Sequence, residues 1–130
     1  MKILQPPNWP RPKGYSNGIS ARGRTIFTAG VVGWDETETF VSDTLPGQFA
    51  QALQNIVAIL AEDGAGPEHL VRMTCYVVDI DVYRGSLPEI GEAWKQVIGR
   101  NYPAMALLEV RSLVEPEALV EIEATAVVPE

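Results

Sequence analysis

Asn101–Val127 reads NYPAMALLEVRSLVEPEALVEIEATAV, and the alternation within it decides the fold. Side chains of a β-strand point to opposite faces in turn, so apolar residues recurring every second position mark a strand with one buried face. Two such stretches lie on either side of an acidic turn, Val114-Glu115-Pro116-Glu117-Ala118. One face, Ala104, Ala106, Leu108 and Val110 with Val120, Ile122, Ala124 and Ala126, is apolar throughout and is predicted to pack on helices. The other mixes Met105, Leu107, Glu109 and Arg111 with Glu121, Glu123 and Thr125. Such a face is either open to solvent or the wall of a cleft at a subunit interface. Arg111 is expected to pair across the strands with Glu121 or Glu123.

Upstream, Leu70–Val78 (LVRMTCYVV) has the β-branched, apolar character of a strand and leaves through Asp79-Ile80-Asp81. Between Leu45 and Glu62 the residues Leu45, Phe49, Leu53, Ile56, Val57 and Leu60 fall on one helical face. Thr44 is placed to cap that helix, Pro46 suits its first turn, and Gly64 its stop. Ser86-Leu-Pro-Glu89 has the spacing of a capping box and opens a second helix through about Ile98, with Leu87, Ile90, Trp94 and Val97/Ile98 inward. Near the start, Pro6 to Pro12 is an extended lead-in. Tyr15–Ala21 and Thr25–Trp34 then read as a hairpin turning at Arg22-Gly23. The order is ββαβαββ, predicting an α+β, two-layer domain with two helices on one face of a mixed sheet.

Composition excludes several classes of function. At 130 residues and 46% hydrophobic, the chain suits one domain spanning 1–130. A net charge of −7 without a Lys/Arg cluster argues against nucleic acid, whose binding requires cations that displace phosphate counterions. Cys75 is the only cysteine and His69 the only histidine, so one chain supplies neither a disulfide nor a Cys/His zinc set, and no metal or cofactor is expected. Cys75 is predicted to be a buried structural thiol, and His69 a surface residue. No stretch approaches the ~20 apolar residues of a membrane span and the N-terminus lacks the apolar run of a signal peptide, so a cytoplasmic protein without a membrane partner is expected.

In this order and spacing, several short segments resemble the RidA family, the reactive intermediate (imine/enamine) deaminases, also called the YjgF or L-PSP endoribonuclease family. They are Gly14-Tyr15-Ser16-Asn17, Phe27-Thr28-Ala29-Gly30, Gln48 with Ala52-Leu53-Gln54-Asn55-Ile56, Tyr102-Pro103-Ala104, and Val120-Glu121-Ile122-Glu123-Ala124. The resemblance implies a chorismate-mutase-like fold, a homotrimer with a small-molecule cleft between neighbouring subunits, and hydrolysis of an imine to a ketone and ammonia.

Carried over position by position, the resemblance shows a divergent site. The arginine that follows Pro-Ala in active deaminases and holds the substrate carboxylate is here Met105. The cysteine or small residue two places on is Leu107, Ser-Gly-Gln has become Ala29-Gly30-Val31, and the asparagine of the second helix is Gly91. Two polar positions remain: Tyr15, implied to hydrogen-bond the substrate, and Glu121, implied to position the attacking water.

Losing a charge-assisted bond to a carboxylate forfeits on the order of 1.5–3 kcal/mol, so small 2-imino acids are expected to bind poorly. Methionine and leucine instead favour a larger or uncharged apolar enamine, in a pocket to which Trp34 and Trp94 contribute. Trp94, at helical spacing, equally suits core or trimer packing. The reading is a deaminase of altered specificity, with Glu121 and Tyr15 catalytic and Met105, Leu107, Ala29 and Trp94 binding substrate. The alternative is a non-catalytic trimer that binds or senses a small metabolite. Endoribonuclease activity ranks last, since one histidine in an acidic chain gives no usual acid–base pair.

Overall fold

A computed structural model describes residues 1–130. Its strands are β1 (Lys2–Leu4), β2 (Gly18–Ser20), β3 (Arg24–Phe27), β4 (Val31–Val32), β5 (Leu70–Val77), β6 (Ala104–Glu109) and β7 (Val120–Val128). Its α-helices are α1 (Leu45–Ala61), α2 (Ile80–Arg84) and α3 (Leu87–Val97). The main sheet runs β3-β7-β5-β6, with β4 also on β7. Only β5 and β6 are parallel, so the sheet is mixed. The helices cover one face, giving the α+β two-layer architecture expected from the element order.

Helix α1 forms as its pattern dictates. The Thr44 hydroxyl accepts from the Gly47 N–H (3.2 Å), Pro46 lies in the first turn, and Gly64, in the left-handed region (φ 71), follows its end. Phe49, Leu53, Ile56 and Leu60 are buried against β5 and β7 residues Met73, Cys75, Val77, Val120 and Ile122. At α3 the expected capping box does not form, because the Ser86 hydroxyl donates back to the Val82 carbonyl (2.7 Å) across the short helix α2, which the sequence reading missed. Asp79 caps α2, and the Glu109 carboxylate accepts from the Ile80 N–H (3.0 Å).

The N-terminal hairpin is a second correction. β2 pairs with β1 in a separate two-stranded sheet, while β3 pairs with β7. Gly23 does turn the chain, but β3 bonds instead to the long strand β7, whose Ala126 lies against the core.

The third concerns the face presented by β6. Met105 and Leu107 register with buried Met73 and Cys75 of β5 and pack on the core, whereas Ala106 and Leu108 face away. Because both faces of AMALLE are largely apolar, alternation alone could not orient the strand. On β7 the expectation holds: Val120, Ile122, Ala124 and Ala126 are buried. Strand β5 separates β6 from β7, so the predicted ion pair of Arg111 with Glu121 or Glu123 does not exist. The Glu123 carboxylate instead accepts from the Tyr76 hydroxyl, a bond that raises the phenol's pKa.

Candidate functional site

Two segments far apart in sequence lie side by side at the open end of the helix layer. The Ser16 N–H donates to the Pro103 carbonyl (3.0 Å), and the Ser16 hydroxyl to the Tyr102 carbonyl. These bonds pin Gly14-Tyr15-Ser16 along Tyr102-Pro103-Ala104 and set Tyr15, 42% exposed, at the mouth of a cleft of roughly 640 Å³ between α3 and β6. The walls and floor include Trp94, Leu87, Ile90, Met105, Leu107 and Gly91. Trp94 is buried in the core yet borders the cleft, its indole N–H donating to the Asn101 carbonyl (3.2 Å). At Gly91 a Cβ would meet nothing within 4 Å, so the missing side chain enlarges the cleft. Tyr83 also lines it, and burial raises the pKa of its phenol.

Glu121 and Ala29 lie elsewhere. Glu121 registers with Tyr76 on the face turned away from the helices, so within one chain it is on the opposite side of the sheet from Met105, not the same face as the sequence suggested. Its carboxylate lies against Gly30, where a Cβ would come within 2.5 Å of Oε2. Phe27 pairs with Thr125 and Val31 with Ile122, so three intervening residues oppose two, and a bulge falls at Thr28–Gly30. The exposed Ala29 and Gly30 donate no backbone hydrogen bond within the chain, leaving two free N–H groups near a carboxylate. Trp34 packs on Phe40 (ring centroids 5.7 Å apart) and takes no part in the cleft, a further correction.

The polar residues of α1 hold this second region in place. Gln48, buried, donates to the Ser42 and Glu117 carbonyls (3.1 and 3.0 Å) and accepts from the Leu119 N–H (2.7 Å), fixing the approach to Glu121. Asn55 donates to the Val32 and Trp34 carbonyls (3.1 and 2.7 Å), fixing β4. Neither role was anticipated in the sequence reading, although both residues stand in matched motifs. His69 is half-buried rather than on the surface, its Nδ1 accepting from the Gly66 N–H (3.0 Å) in the turn Pro67–His69. No group of three His, Cys, Asp or Glu side chains is disposed to hold a metal ion, and no helix is long and apolar enough to cross a membrane.

Known proteins share this fold and much of the sequence. The sequence model of the endoribonuclease L-PSP family matches residues 9–128. A RutC family protein from Synechocystis is 33% identical over 99% of this chain and 98% of its own length. A 2-iminobutanoate/2-iminopropanoate deaminase from Salmonella typhimurium is 28% identical over 97% of each chain. A crystal structure of a conserved Rid family protein from Yersinia pestis superposes with a TM-score of 0.86, at 31% identity and 98% coverage of both chains. The chain therefore belongs to the endoribonuclease L-PSP family, also called the YjgF or RidA family.

Proposed function

We propose that the protein hydrolyses an enamine or imine to a carbonyl compound and ammonia, and that its substrate carries a bulkier apolar group than 2-iminopropanoate. The observation that carries this reading is the cleft itself, which gathers Tyr15, Gly91, Trp94, Met105 and Leu107 around an apolar floor. The relative from Salmonella, by its name, acts on small 2-imino acids.

The active unit is a homotrimer. Met105 and Glu121 lie on opposite faces of one sheet, so a single chain cannot direct both at one substrate. A neighbouring copy that turns its own open face towards the cleft brings its Glu121 and its free Ala29 and Gly30 N–H groups to the cleft mouth. There Glu121 takes a proton from water as the oxygen adds to the imine carbon and passes it to the nitrogen, giving a carbinolamine. Glu121 then moves the hydroxyl proton to the amino group as the C–N bond breaks, so that the carbonyl forms, ammonia leaves and the carboxylate is regenerated. Tyr15 hydrogen-bonds the substrate and holds the carbon in line.

Glu121→Gln keeps the shape but cannot take the proton, and ammonia release from imines generated in situ is expected to fall at least ~100-fold. Leu107→Arg, which fills the cleft, is expected to be inactive as well. Unfolding and refolding the two variants together restores partial activity if the site spans two chains. Full activity in Glu121→Gln would contradict the mechanism, and failure of the mixture to recover would contradict the shared site. The apolar replacements at Met105, Leu107, Ala29 and Gly91 also favour a second reading, a metabolite-binding trimer. Ligand-induced thermal stabilisation without product identifies that case. Ribonuclease action has no support in the geometry, since His69 lies outside the cleft with Nδ1 already engaged.

A further inference from the structure

The cleft has lost the arginine of β6, yet it is not without positive charge. Within one chain, Lys13, Lys95 and Arg100 all line it, and no aspartate or glutamate does. The whole chain has 10 Lys and Arg against 17 Asp and Glu, so three cations and no acid from one chain in one cleft run against the composition, even with a neighbour's Glu121 at the mouth. The three come from separate parts of the fold: Lys13 from the segment before Tyr15, Lys95 from the last turn of α3, Arg100 from the residue after Gly99. Gly99, in the left-handed region (φ 75), ends α3 and reverses the chain at that point.

None of the three is in an ion pair. The acid one turn before Lys95 on α3, Glu92, instead accepts from Gln96 (3.1 Å). Arg100 also borders a neighbouring depression, whose acid, Glu68, lies beside His69 (3.5 Å). The cations are exposed, whereas Met105, Leu107, Ile90 and Trp94, which line the same cleft, are buried or half-buried. Charge at the rim and apolar surface within is the complement of an amphipathic anion.

We propose that Lys13, Lys95 and Arg100 form a relocated anion anchor, so that the cleft takes a carboxylate with a ring-sized or branched apolar body. The body rests on Met105 and Leu107, and the carboxylate reaches the rim. An anchor displaced from the floor to the rim lengthens the ligand that satisfies both ends, which favours bulky over small carboxylates. This proposal rests on reading the cleft as the substrate site.

Calorimetric titration of the assembled protein with 3-phenylpropanoate, its uncharged amide and propanoate tests it without requiring turnover. The wild type is expected to bind 3-phenylpropanoate about tenfold tighter than either of the others, with affinity falling as salt rises. Lys95→Gln with Arg100→Gln is expected to erase the difference between acid and amide while leaving amide affinity unchanged. Lys95→Arg with Arg100→Lys is expected to retain it. Equal binding of acid and amide by the wild type, a double Gln variant that still prefers the acid, or no binding of 3-phenylpropanoate would each overturn the anchor. Loss of the anchor leaves hydrolysis of an uncharged enamine standing. Conversely, failure of the Glu121→Gln test removes the hydrolase and leaves the binding result intact.

Discussion

Gly30 shows how one residue without a side chain sets a site. The close approach of the Glu121 carboxylate requires that no Cβ stand there, and the cost of adding one falls on a movable carboxylate rather than on backbone. Gly30→Ala is therefore expected to leave thermal stability nearly unchanged while lowering turnover at least ~10-fold, measured by melting and ammonia release on the same preparation. Cys75 makes the opposite case. Burial pushes its thiol from 9.0 up to about 12, so it stays protonated where the unfolded chain ionises. Stability is then complete below pH 9 and declines as pH rises towards 12, by up to about 1.4 kcal/mol per pH unit. Urea unfolding at pH 8 and pH 10 is expected to show wild type losing about 1 kcal/mol more than Cys75→Ala. The buried, unreactive role of Cys75 was legible from its apolar strand. The free N–H groups at Ala29 and Gly30 were not, because a bulge depends on how two strands pair and not on either alone.

The elements with unambiguous patterns were readable from sequence. α1 had a continuous apolar stripe, a threonine cap and a terminal glycine, and β7 alternated buried and polar residues from Val120 to Ala126. β6 was readable as a strand but not in orientation, because methionine, leucine and alanine leave no polar face to mark the outside. β1 was too short to declare itself, and β2 acquires a partner only once β1 is present. What joins the elements is a set of buried polar side chains. Gln48 alone satisfies two carbonyls and one N–H in the segments leading to α1 and β7. Gln48→Ala leaves those groups to lose their partners, and a destabilisation of about 3 kcal/mol is expected from chemical denaturation. A change below about 0.5 kcal/mol would mean that water replaces the amide without cost.

Across the whole molecule, the sheet divides the functional groups between two sides. Helices close one side except at the cleft, and the other carries Glu121, Glu123, Thr74 and Tyr76 with no layer above it. The sequence disclosed which residues stand at the family positions, but their placement on opposite faces emerges only from the strand order, with β5 between β6 and β7. Under the proposed hydrolysis, that division requires a second copy, and it leaves the cleft of each chain to determine which substrate enters. The central claim is that this cleft, apolar at Met105 and Leu107, selects a bulky substrate. Its most direct test is initial rates of ammonia release from imines made in situ by an amino acid oxidase, comparing alanine with leucine and phenylalanine as precursors, in wild type and Met105→Arg. The account predicts that wild type prefers the leucine and phenylalanine imines by at least ~10-fold, and that Met105→Arg shifts the preference toward the alanine imine. Equal or faster turnover of the alanine imine by wild type would contradict it.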